Sequence, residues 1–106
     1  MSKAKKTLLS DDHAVALADL FRLLGDPTRL RIVIACVDGP CSVGELAARL
    51  GLSSSLASHH LRLLRAARLV RAARRGKHVL YAADDAHIRR VITDMVAHVA
   101  EPGAVA

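Results

Sequence analysis

The distribution of apolar residues predicts a mainly α chain with one small β-hairpin. Two observations predict it. Apolar residues recur at helical spacing in several separate stretches, and two short strand-like segments flank a single glycine. The 106 residues are 52% apolar and 25% charged, with six glycines and three prolines, which is the balance of a globular chain and enough for one domain over residues 1–106. Aromatic content is 2%, so Leu, Val, Ile and Ala must fill the interior. So small a core gains from burying an apolar face in a symmetric pair, and a homodimer is expected.

Residues 1–10 read as a flexible arm. From Asp11 to Leu24 the residues Val15, Leu17, Ala18, Leu20, Phe21 and Leu24 form a broad helical stripe, which Gly25 ends. Asp26-Pro27 starts the next helix with a capping side chain and a proline in the first turn; it runs through Leu30, Ile32, Val33, Ile34 and Val37 until Asp38-Gly39-Pro40. Ser42 and Glu45 are spaced as a capping box for a short helix through Leu46, Ala47 and Leu50, broken at Gly51. Ser53 caps a helix from about Ser54 to Ala66, with Leu56, Ala57, Leu61 and Leu64 on its apolar face and serines and histidines opposite.

Leu69–Arg74 and His78–Ala82 then read as strands around Arg75-Gly76-Lys77. A last helix begins near Asp84-Asp85 and continues to about Ala100, and residues 102–106 read as a flexible tail. Two helices joined by a glycine turn, followed by a basic hairpin, make a winged helix-turn-helix.

A net charge of +6 and a pI of 10.2 call for a polyanionic partner. Arg49, Arg62, Arg65, Arg68, Arg71, Arg74, Arg75 and Lys77 all fall within residues 46–83, and every Asp and Glu lies outside them, so a phosphate-binding surface is favoured over a merely solvated face. No apolar run is long enough to cross a membrane and the start lacks a leader's apolar segment; a soluble, cytoplasmic protein without a membrane partner is expected. Two cysteines, Cys36 and Cys41, are too few for a disulfide framework and are expected as thiols.

Gly25-Asp26-Pro27-Thr28-Arg29-Leu30-Arg31-Ile32, then Glu45-Leu46-Ala47, then Ser58-His59-His60-Leu61-Arg62-Leu63-Leu64-Arg65, then Arg75-Gly76-Lys77-His78, resemble the ArsR/SmtB family of winged-helix metal-sensing repressors over roughly residues 14–101. The resemblance implies a homodimer built on the first and last helices, with the helix from Ser54 in the major groove of operator DNA and the wing beside it. The side chains suit that placement. Ser54, Ser55 and Ser58 are short hydroxyls that let a helix approach base edges, His59 reaches a base or a phosphate, and Arg62, Arg74, Arg75 and Lys77 supply phosphate contacts. His60 and His78 are as readily plain surface residues.

The last helix carries Asp85, His87, His98 and Glu101. Eleven residues of helix turn by about 1100°, or about 20° beyond three turns, so His87 and His98 share a face, yet they stand about 16.5 Å apart along the axis. One zinc ion, with bonds of about 2 Å, cannot reach both. Two antiparallel copies of the helix remove the difficulty, because His87 of one subunit then lies beside His98 of the other. Each site takes Asp85 and His87 from one chain and His98 and Glu101 from its twin, a nitrogen and oxygen set suited to Zn²⁺, with two sites per dimer.

The pattern Asp-x-His, ten residues, His-x-x-Glu also resembles the family's C-terminal-helix zinc site. That resemblance implies release from DNA when metal binds, and a path from His98 to the backbone near Arg68 and Leu69. Ni²⁺ and Co²⁺ suit the same donors. Ile88, Val91, Ile92, Met95 and Val99 form the adjoining apolar face expected to close the dimer.

The family's cysteine site is not matched, since Cys41-Ser42-Val43 lacks a second thiol. A thiol-based redox or sulfur sensor of the same fold through Cys36 and Cys41 remains the rival reading. No His-Glu-x-x-His pair, nucleophile elbow or glycine-rich phosphate loop is present, and an enzyme is not expected.

Overall fold

The computed structural model describes residues 9–103. Its elements are α1 (Asp11–Leu24), α2 (Pro27–Asp38), α3 (Val43–Leu50), α4 (Ser54–Ala66), β1 (Val70–Arg75), β2 (His78–Ala83) and α5 (Ala86–Ala100). Of the ends expected to be flexible, residues 1–8 and 104–106 lie outside the described residues. Ser10, assigned to the arm by the sequence, instead caps α1 by accepting from the His13 N–H.

Every helix starts on a side chain that satisfies a backbone donor its first turn would otherwise leave free. Asp26 accepts from Arg29 N at 2.9 Å, Ser53 from Leu56 N at 3.1 Å and Asp85 from Ile88 N at 3.0 Å. At α3 the capping box is complete. The Ser42 hydroxyl accepts from Glu45 N at 3.1 Å, and the Glu45 carboxylate accepts from Ser42 N at 2.9 Å. Gly51, at φ 68°, ends α3 in the left-handed region and makes the tight turn into α4.

The apolar helix α2 is the hub, packed against all four other helices and against β2. Ile32, Val33 and Cys36 from α2 meet Leu46 from α3, Leu61 and Leu64 from α4, Leu69, Val70 and Ile92 in one core. The hairpin pairs Val70 with Ala83 through to Arg75 with His78, closed by Gly76-Lys77 with Gly76 at φ 61°. A left-handed glycine at that position lets a two-residue turn follow the strand twist. On its other side β2 is bonded by Cys41, which exchanges both backbone hydrogen bonds with Tyr81, at 2.9 and 2.8 Å. The wing is therefore anchored at its base to the turn that follows α2.

Three expectations need correcting. Leu56 is 42% exposed, because it lies in the first turn of α4, beyond the reach of the core. His60 is only 8% exposed, and its place on α4 turns it inward toward the start of α2. The apolar face of α5 is divided. Ile92 is buried and Ile88 packs against the chain's own core, whereas Val91, Met95, Val96 and Val99 are exposed.

Arg68, between α4 and β1, has φ 61°, the only non-glycine residue with positive φ among the described residues. A Cβ in that region is strained. Arg68→Gly is expected to stabilise the fold by about 0.5–1 kcal/mol, the relieved strain exceeding the entropy glycine adds to the unfolded chain. Urea denaturation checks this; a lowered midpoint would show the conformation to be unstrained.

Candidate nucleic-acid interface and metal centre

The helix-turn-helix presents the outer face of α4. Ser54, Ser55, His59 and Arg62 are exposed and Ser58 is half-buried, while Ala57, Leu61 and Leu64 hold the opposite face in the core. Arg74, Arg75 and Lys77 are exposed at the tip of the hairpin. Among the described residues none of these bases is ion-paired, so their charge is left for an external anion.

His60 was not foreseen as an interior residue. Its Nδ1 is buried without a hydrogen-bond partner. Burial holds its pKa below the ordinary imidazole value, with Asp26 opposing the shift and Arg29 and His59 adding to it. The native state thus favours neutral His60, and the unfolded chain binds the extra proton. Stability should be complete above about pH 6.5 and decline as pH falls from there through the lowered native pKa. The expected result is a lower urea midpoint at pH 5.5 than at pH 7.5, with the difference reduced in His60→Gln.

At the start of α5 one Asp85 oxygen caps the helix on Ile88 N, and the other lies 3.5 Å from His87 Nδ1. The Ile88 N–H, and then His87, hold the Asp85 carboxyl below the usual carboxylate range. At the far end Glu101 follows the helix as its C-cap, one turn beyond His98. All four side chains are exposed. Among the described residues of one chain no three His, Cys, Asp or Glu side chains come together as a metal site. The structure joins Asp85 with His87 and leaves His98 and Glu101 at the other end of α5. These donors fit a metal in chemistry, being imidazoles and carboxylates exposed outside the core, although Asp85 already engages Ile88 N with one oxygen and His87 Nδ1 with the other. His87 also borders an apolar hollow lined by Leu17, Leu20 and Leu69, a neighbour the sequence did not signal.

Cys36 and Cys41 are buried, free thiols. Burial pushes the Cys36 thiol up to about 12. Cys41 Sγ lies 3.4 Å from Gly39 O and 3.4 Å from Arg49 Nη1.

A recognition helix set behind a tight turn, a basic wing and unpaired arginines across both define a winged helix-turn-helix DNA-binding protein. Residues 26–72 match the family described as bacterial regulatory protein, arsR family. Over 81 residues the chain is 49% identical to the HTH-type transcriptional regulator CmtR of Mycobacterium tuberculosis, spanning 76% of this chain and 69% of that one. The NMR structure of CmtR, described as a cadmium metal-sensor, superposes with a TM-score of 0.67 at 48% identity, over 77% of this chain and 85% of that one.

A transcriptional repressor SmtB homolog from Synechocystis is 37% identical over 94 residues, or 89% of this chain and 71% of the relative. A homodimeric winged helix-turn-helix DNA-binding domain from Mycobacterium bovis has a TM-score of 0.74 at 26% identity, over 88% of this chain and 91% of that one. The chain belongs to the ArsR/SmtB family of transcriptional regulators, whose members bind DNA and are not enzymes. Among the described residues no helix is long and apolar enough to cross a membrane.

Proposed function

We propose that the chain is a zinc-responsive transcriptional repressor. It binds operator DNA as a homodimer through Ser54, Ser55, Ser58, His59 and Arg62 of α4 and Arg74, Arg75 and Lys77 of the wing. Zinc between subunits releases it, held by Asp85 and His87 of one chain and His98 and Glu101 of its twin. The observation that carries this reading is the separation of the two exposed ligand pairs to opposite ends of one helix, with Val91, Met95 and Val99 exposed between them. An antiparallel twin covers that apolar strip and brings each pair to its complement.

The same pairing accounts for a hollow of about 540 Å³ bordered by Phe21, Leu30, Ile34, Val91, Met95 and Val99, which a single chain leaves open. When bound, the metal supplies a cross-link between the two copies of α5. The residues do the rest. His98 of the twin would approach the His87 end of α5, which borders the same hollow as Leu69 of the α4–β1 junction, and its second ring nitrogen would act on the backbone near Arg68 and Leu69. With metal bound, the α4 helices of the two chains would stand at a separation that no longer matches successive major grooves, about 34 Å apart.

CmtR is described as a cadmium sensor. Here only two thiols exist, both buried, and the exposed donors are nitrogen and oxygen; that set favours zinc over a soft thiolate-seeking ion, and Ni²⁺ and Co²⁺ are its nearest competitors. The Arg49 guanidinium against Cys41 Sγ supports a second reading, release on oxidation of Cys36 and Cys41.

One titration separates the readings. The apoprotein is bound to a fluorescein-labelled duplex it has itself selected from a random pool, and Zn²⁺, Ni²⁺, Co²⁺, Cd²⁺ and hydrogen peroxide are added in parallel. Zinc is expected to release the duplex at the lowest concentration, and equally in a Cys36→Ser, Cys41→Ser variant. Release by peroxide or cadmium alone, lost in that variant, would replace zinc with thiol sensing.

A further inference from the structure

The sequence places its expected DNA contacts at the front of α4 and at the tip of the wing. Two of these, Ser58 and Arg62, also border a notch of about 480 Å³ between α4 and β2, lined further by Leu61, Arg65, Ala66 and Tyr81. Ser58, Arg62 and Arg65 stand four and then three residues apart, so they form one stripe on the helix. Tyr81 borders the same notch from β2. Its backbone is paired with Ala72 of β1 on one side and with Cys41 on the other.

Nothing inside the protein explains two guanidiniums side by side here. Among the described residues neither Arg62 nor Arg65 is ion-paired or bonded to a protein acceptor. Arg22, Arg29, Arg49 and Arg89 have partners, on Asp19, Leu23 O, Cys41 and Val37 O, whereas Arg62 and Arg65 share with Arg74 and Arg75 of the wing the lack of any partner among the described residues. Like charges one helical turn apart repel, and the absence of acids over residues 46–83 leaves that repulsion uncompensated. An anion in the notch removes it.

We propose that this notch is a phosphodiester-binding site for the DNA strand bordering the groove that α4 enters, in which Arg65 supplies charge and the Tyr81 phenol donates a hydrogen bond to a phosphate oxygen. The proposal rests on the DNA-binding reading above and adds an anchor behind the serines. The shape argues for backbone rather than a free ion. The half-buried Ser58 borders the notch together with Arg62 and Arg65, so a duplex held against Ser58 would pass beside both charges. Tyr81 and Arg65 are thus phosphate contacts, carrying affinity and register without reading sequence.

The test uses the full chain and a fluorescein-labelled 30-base-pair duplex of random sequence, followed by anisotropy from 50 to 200 mM salt. Losing one phosphate contact lowers the slope of log K against log salt by about 0.9, so Arg65→Ala should lose about 3.5-fold less affinity than wild type over that range. Arg65→Lys should keep the slope. Tyr81→Phe should bind about tenfold more weakly with the slope unchanged, because a neutral donor to a charged acceptor is lost.

Arg90→Ala, an exposed base on α5, controls for the general loss of charge. Thermal melts of all four variants should overlay that of wild type. An unchanged slope in Arg65→Ala, or one no different from Arg90→Ala, overturns the assignment, as does Tyr81→Phe binding like wild type. Failure of wild type to bind any duplex would instead remove the DNA-binding reading itself.

Discussion

His98→Ala is expected to bind duplex DNA as wild type does and to ignore zinc, while wild type loses well over tenfold in affinity when zinc is added. A tenfold loss corresponds to a coupling of about 1.4 kcal/mol between the two sites, within the ordinary range for allosteric proteins. The expectation follows from where His98 lies. It is exposed in the last turn of α5, so its removal leaves no cavity and the DNA-reading face is untouched. It is also one of only two imidazoles on α5, the other being His87 at the opposite end. Removing it leaves two carboxylates and one imidazole, too few nitrogen donors for tight zinc binding. Anisotropy with and without zinc reads the DNA affinity, and calorimetry reads zinc binding separately. A variant that still releases DNA in response to zinc would show that the sensor lies elsewhere.

Met95→Asp is expected to split the dimer. Met95 is 53% exposed in the single chain and Phe21 57%, and both border the hollow that the twin is proposed to fill. A carboxylate there loses its hydration on pairing, once in each of the two copies. Two such desolvated charges cost several kcal/mol, which exceeds what one apolar strip contributes. Light scattering should report a mass near 11.3 kDa instead of twice that value. With one recognition helix in place of two, DNA affinity should fall by roughly 10²–10⁴. A dimer of unchanged mass would move the interface to another face.

The helices were legible because their signals are local. Asp26-Pro27, the Ser42 and Glu45 pair, Ser53 and Asp85 each state a start in residue types whose side chains reach a backbone N–H two or three residues on. Gly51 and Gly76 stand where the backbone has positive φ. What the sequence did not reveal depends on contacts between distant segments. His60 reads as polar, and only the packing of α4 on α2 buries it. The Cys41–Tyr81 bridge joins residues whose pairing has no periodic signature. Arg89, which donates to Val37 O at 2.9 Å and ties α5 to the end of α2, looks like any surface base in a helix. The ligand pairs of α5 were readable for a different reason, since helical geometry alone fixes how far apart His87 and His98 must stand.

Helix α1 has no fully buried residue, and only Leu20, Leu23 and Leu24, at its end, pack against the core. On the proposed pairing, its first half is held chiefly by the second copy. Folding of that segment then follows protein concentration: amides between Asp11 and Leu17 should exchange hydrogen rapidly in dilute solution and slowly when the chain is abundant. The number of copies in a cell would thereby govern how many carry an ordered first helix.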